Sequence, residues 1–133
     1  MRKSPERKVA VLDAYEEECR ELCELLAQRH YTTVALHSLA ELETCLKNHA
    51  CKAVLMDIDS IPVDNRTLRE LTIRHPETCF LCTSKDRFHP ELKDAICYHI
   101  YACLNKPVDP DELFYWLRSI DEDDADPKYQ SKT

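Results

Sequence analysis

The chain has 133 residues, a net charge of -7 and no glycine. Without glycine, neither a Walker A loop nor a GxGxxG fingerprint can form, because both bring backbone N–H groups onto phosphates through glycine. Hydrophobic residues, at 44%, suffice for one core. No apolar run approaches the ~18 residues of a membrane span, and no basic face of the kind duplex binding uses is evident.

Val9 to Leu12 is a short apolar run ending at Asp13 and reads as a buried strand. Cys19, Leu22, Cys23, Leu25 and Leu26 recur at helical spacing, with Glu17, Arg20, Glu21 and Glu24 on the other face. Thr32 to Leu36 is β-branched and apolar, a second strand. Ser38 and Glu41 form a capping box for a helix carrying Leu39, Leu42, Cys45 and Leu46. Ala53 to Met56 is a third strand, ending at Asp57. Asp64 caps a helix through Leu68 and Leu71 that stops before Pro76. Cys79 to Cys82 is a fourth strand, ending at Thr83 and Ser84, and Pro90 opens a helix through Leu92, Ala95 and Ile96. Ile100 to Leu104 is a fifth strand leading to Asn105-Lys106-Pro107. Asp109, Pro110 and Glu112 start a last helix with Leu113, Trp116, Leu117 and Ile120. Without glycine, helix ends are expected to use Asn or His, as at Asn48 and His49.

Residues 8–120 therefore read as one domain. A basic arm (1–7, with Arg2, Lys3 and Arg7) precedes it, and an acidic tail (121–133) expected to be disordered follows. Only a short strand-like run follows the basic start, so no export signal is expected and a cytoplasmic location is. In a reducing compartment the eight cysteines are expected as buried, unpaired thiols.

Five continuously apolar strands alternating with helices predict an α/β fold, a doubly wound five-stranded parallel sheet covered on both faces. Ligand sites in such sheets lie beyond the carboxyl ends of the strands. That places Asp13, Asp57, Thr83 and Lys106 together. A carboxylate can accept a phosphoryl group as a mixed anhydride. The crowded charge then calls for a divalent cation with oxygen ligands, such as Mg²⁺, and for a cation and a hydroxyl aimed at the transferring group.

The chain resembles the receiver domains of two-component response regulators over roughly residues 8 to 120. The resemblance is carried by Val11-Leu12-Asp13, Val54-Leu55-Met56-Asp57, Leu81-Cys82-Thr83-Ser84 and Asn105-Lys106-Pro107 followed by Asp109-Pro110-Asp111-Glu112-Leu113. It implies the flavodoxin-like strand order 2-1-3-4-5 and a cis bond at Lys106-Pro107. It implies Asp57 as phosphoacceptor, with Thr83 and Lys106 reading the phosphorylated state. The implied partners are a sensor histidine kinase or phosphotransfer protein, with an effector domain or protein target beyond; neither direct nucleic-acid binding nor membrane association is expected. The protein would be a regulatory domain, not an enzyme.

The sequence departs from the family pattern at four places. Ala14 stands where a second acid usually follows Asp13, with Glu16 to Glu18 further along as substitutes. Pro62 is one residue late after Asp57. Asp59 lies two residues past Asp57, where its side chain either adds a third carboxylate to the expected Mg²⁺ ligands Asp13 and Asp57 or points to water. Cys103 stands at the family's aromatic position, with Tyr101 two residues away. These departures keep a second reading open, a pseudo-receiver that binds partners without being phosphorylated.

Overall fold

The computed structural model describes residues 8–85 and 100–125, with side chains up to residue 122. The predicted helix at Pro90 to Ile96, Cys97, the N-terminal arm and the end of the acidic tail lie outside the described residues. Five strands, β1 (Lys8–Leu12), β2 (Thr32–Leu36), β3 (Ala53–Asp57), β4 (Cys79–Ser84) and β5 (Ala102–Asn105), alternate with helices α1 (Glu16–Gln28), α2 (Leu39–Asn48) and α3 (Asn65–Arg74). A last helix, α4 (Pro110–Ala125), follows β5. All four strand pairings are parallel, in the order β2-β1-β3-β4-β5.

Strand residues alternate between two cores, as a period of two requires. Ala10, Leu12, Val54, Met56, Phe80 and Cys82 face one side with α2 and α3. Val9, Val11, Ala53, Leu55, Leu81 and Leu104 face the other, against Cys19 and Leu26 of α1 and Leu113, Phe114 and Leu117 of α4. Burial on both faces is why the strands read as unbroken apolar runs.

The helix ends show how a chain without glycine closes its turns. Ser38 accepts the Glu41 N–H at 3.2 Å, and Glu41 reaches back to the His37 N–H at 2.8 Å. Asp64 accepts the Thr67 N–H at 2.8 Å. The left-handed residue falls not at Asn48 or His49, where it was expected, but after α1: His30 has φ 72°, whereas His49 is extended. There the His30 N–H bonds Ala27 O at 3.0 Å and the Tyr31 N–H bonds Leu26 O at 3.2 Å. This Schellman closure needs a left-handed residue, and its hold is Tyr31, which is buried and stacks on Phe114 at 6.1 Å between ring centroids.

Two boundaries differ from expectation. β5 begins at Ala102, although the Tyr101 N–H already bonds Phe80 O at 2.7 Å. α4 continues past Ile120 to Ala125, and Asp121 lies 3.6 Å from the ammonium of Lys52, the residue before β3. Seven cysteines are free thiols among the described residues. Burial pushes Cys19 up to about 12 and Cys51 to about 11, so these thiols pack rather than react. Among the described residues no helix is long and apolar enough to cross a membrane.

Candidate functional site

The carboxyl ends of the strands are locked together by backbone bonds just beyond the sheet. The Asp13 N–H bonds Leu36 O at 3.0 Å, Ile58 N–H bonds Thr83 O at 3.1 Å, and Lys106 N–H bonds Ser84 O at 3.0 Å. Asp57 and Thr83 are register partners across β3 and β4. These bonds bring Asp13, Asp57, Thr83 and Lys106 to one end of the sheet; the first three are almost fully buried. The Lys106 Nζ lies 2.7 Å from Asp57 Oδ1. The peptide bond between Lys106 and Pro107 is cis.

Asp57 Oδ1 also accepts the Asp59 N–H at 3.2 Å. Asp13 Oδ1 accepts the Tyr15 N–H at 2.9 Å and the Ser60 hydroxyl at 3.4 Å. The second oxygens, Asp13 Oδ2 and Asp57 Oδ2, are buried with no hydrogen-bond partner among the described residues. Asp13, Glu18 and Asp57 each place a carboxylate oxygen within 4.8 Å of the others. Two orphaned, buried, anionic oxygens beside a third carboxylate are the donor set that a hard divalent cation takes.

Asp59 does not join this group. It turns the other way: Oδ1 accepts the Ser84 hydroxyl at 2.9 Å, and Oδ2 accepts the Lys85 N–H at 2.8 Å. The same Oδ2 lies 3.5 Å from Lys106 Nζ. The third carboxylate is instead Glu18, whose Oε1 lies 3.7 Å from that ammonium. The reason is geometric. Helix side chains lean toward the helix N-terminus, so an acid in the first turn of α1 bends back over the strand ends. That lean was the available signal for choosing Glu18 over Asp59. Ser60 had none: it donates to Asp13 and accepts the Ala14 N–H at 3.0 Å, tying the β3–α3 loop to the β1–α1 loop. His37 Nδ1 at 2.9 Å from Asp13 O was likewise not foreseen.

Burial raises the Asp13 carboxyl to about 6, helped by the charges of Asp57 and Glu18 and opposed by the Tyr15 N–H and Lys106. Burial alone would lower Lys106, but its bond to Asp57 and the charges of Asp57, Glu18 and Asp59 outweigh this and raise it above 10.5. Lys106 therefore stays protonated at neutral pH. For Asp13 the folded value lies above the unfolded value of 3.8. The native state thus binds the extra proton in the window between the two values, and stability falls as pH rises through that window. Removing the charge should remove the fall. In metal-free buffer, Asp13→Asn should gain on the native protein by on the order of 2 kcal/mol between about pH 4 and pH 7, read from urea unfolding at each pH. A difference that stays flat with pH would contradict the assignment.

A cleft of about 580 Å³ lies over this end of the sheet, lined by Asp13, Glu18, Thr83 and Lys106 and by the apolar Leu22 and Val108. Among the described residues, Cys103, at the family's aromatic position, faces the α2–α3 core with Cys82. Tyr101 packs on the opposite side, edge-on to Trp116 at 5.9 Å.

No family model and no curated protein sequence matches the chain. Solved structures do. The signal receiver domain of an HD domain-containing protein from Pseudomonas fluorescens Pf-5 is similar with a TM-score of 0.77 and 23% identity, over 86% of this chain and 94% of that one. A CheY-like response regulator receiver domain protein from Methanospirillum hungatei JF-1 gives 0.79 and 15% identity, over 90% and 97%. NtrX from Brucella abortus gives 0.78 and 19% identity, over 93% of this chain and 29% of that longer one. Together with the five parallel strands in the order 2-1-3-4-5, these similarities show that the fold is that of the response-regulator receiver domain.

Proposed function

We propose that this domain accepts a phosphoryl group on Asp57 and works as a receiver in two-component signal transduction. The observation that carries the reading is the Lys106 ammonium 2.7 Å from the Asp57 carboxylate, at the strand ends where such sheets bind ligands. In the step, an Asp57 oxygen forms a P–O bond as the P–N bond of a phosphohistidine on a sensor kinase or phosphotransfer protein breaks. The electron pair of the broken bond returns to the imidazole, which takes up a proton. Lys106 draws charge from the phosphoryl oxygens as the group transfers, and Thr83, beside Asp57 in register, offers a hydroxyl to the product. Mg²⁺, when bound, offsets the negative charge of the carboxylates and the phosphoryl group; Asp13, Glu18 and Asp57 would hold it. In a longer regulator the signal would pass to an effector domain, as the HD domain-containing neighbour suggests, or to a separate protein target in the cytoplasm.

The alternative, a pseudo-receiver that is never phosphorylated, rests on Ala14 and on the extra residue between Asp57 and Pro62. Glu18 weakens the part that rests on Ala14, because its carboxylate, from the first turn of α1, lies close to those of Asp13 and Asp57. Glu18→Gln should weaken Mg²⁺ binding roughly tenfold, since affinity for a hard cation follows ligand charge; calorimetry on the two proteins checks it. Equal affinities would return the pseudo-receiver to the front. The reading as a whole is tested with beryllofluoride, which mimics a phosphoryl group on a carboxylate. A fluorine resonance of the bound ion should appear only with Mg²⁺ present and vanish in Asp57→Asn. A bound signal in Asp57→Asn would contradict the assignment.

A further inference from the structure

Asp59 is a charged group at this end of the sheet that the proposed transfer does not use. Its carboxylate takes three donors: the Ser84 hydroxyl at 2.9 Å, the Lys85 backbone N–H at 2.8 Å and the Lys106 ammonium at 3.5 Å. An oriented backbone N–H, a hydroxyl and an ammonium converging from adjacent strand ends are the donors that stabilise phosphoryl oxygens. Ser84 ends β4, Lys85 follows it and Lys106 follows β5; of the three donors, Lys106 also lies against Asp57. Lys106 contacts both carboxylates, so the two anions share one cation.

We infer that Asp59 is a built-in competitor of the phosphoryl group: it shares the Lys106 ammonium with Asp57 and must give up that share when Asp57 is phosphorylated. The inference rests on the reading of Asp57 as phosphoacceptor and adds regulation to it. A phosphoryl group arriving on Asp57 brings negative charge against Asp59 and needs the same Lys106. Formation of the phosphorylated state is thereby slowed, because Lys106 is shared until Asp59 yields it. A carboxylate that merely fastened the β3–α3 loop to β4 would hold the loop without affecting anion affinity.

The test uses the whole chain, native, Asp59→Asn and Asp59→Ala, with Mg²⁺ throughout. Asparagine keeps the size and one acceptor, so it guards against a loop that fails to fold. Inorganic phosphate is titrated while the ¹⁵N–¹H signal of Lys85 is followed. In parallel, acetyl phosphate is added and intact mass is followed with time: an Asp57 oxygen bonds phosphorus and acetate leaves. Both variants should bind phosphate about tenfold more tightly and acquire the phosphoryl group about tenfold faster, because a like charge has been removed from the acceptor site. Phosphate affinity no higher than native in either variant overturns the inference, whatever the transfer rates. If the variants bind phosphate more tightly but no protein gains a phosphoryl group, the competition stands and the phosphoacceptor reading of Asp57 falls.

Discussion

Lys106→Met should slow phosphoryl transfer to Asp57 by roughly 100- to 1000-fold, the usual loss when one preorganised donor to a developing anion is removed. The side chain is 15% exposed and sits over a carboxylate that is 1% exposed, so water cannot readily replace the ammonium. Methionine keeps most of the stem's volume, and the loss therefore reports charge rather than packing. The same change leaves Asp57 buried beside Asp13 and Glu18 with its cation gone. In metal-free buffer it should cost on the order of 3 kcal/mol of stability, and Mg²⁺ should restore part of it by supplying the missing positive charge. Transfer from acetyl phosphate, timed by intact mass, gives the rate, and urea unfolding with and without Mg²⁺ gives the stability. A loss in rate below about tenfold would show that the ammonium is not aimed at the transferring group.

Phe80→Ala should destabilise the fold by about 3–5 kcal/mol, the range for a buried aromatic cut to alanine. Phe80 is 1% exposed on β4 and packs with Met56, Leu68 and Leu71 in the core beneath α2 and α3. The sheet is covered on both faces, so no solvent-facing side exists onto which the neighbours can relax. Against the 5–15 kcal/mol of a typical domain, that loss approaches unfolding. Ile73, 64% exposed on α3, supplies the contrast: Ile73→Ala should cost less than about 0.5 kcal/mol. Urea midpoints of the two variants give the comparison. A Phe80→Ala cost near that of Ile73→Ala would mean that the core is not closed on this face.

What the sequence made legible follows from period and position. Unbroken apolar strands implied a sheet buried on both faces, and residues just past those strands had to meet at one end. Asp13, Asp57, Thr83 and Lys106 do meet there. The direction of a side chain in a loop is set by its hydrogen bonds and not by chain spacing. Asp59 follows Asp57 by two residues, as the metal reading requires, yet the Lys85 N–H and Ser84 hydroxyl pull it to the other side. Glu18 is far from Asp57 in sequence, yet the lean of the first helical turn carries it into the acidic group. The left-handed turn at His30 was hidden for a similar reason. Asn48 and His49 had the composition of a left-handed cap, but Tyr31 had the apolar anchor that closes one.

The central claim is that the Asp57 carboxylate accepts a phosphoryl group. Intact mass of the native chain and of Asp57→Asn, after incubation with acetyl phosphate and Mg²⁺, tests it most directly. The native chain should gain the mass of one phosphoryl group, lose it on treatment with hydroxylamine as an acyl phosphate must, and gain nothing when the metal is chelated. Asp57→Asn should stay at its starting mass throughout. An unchanged native mass, or an equal gain in Asp57→Asn, would contradict the claim.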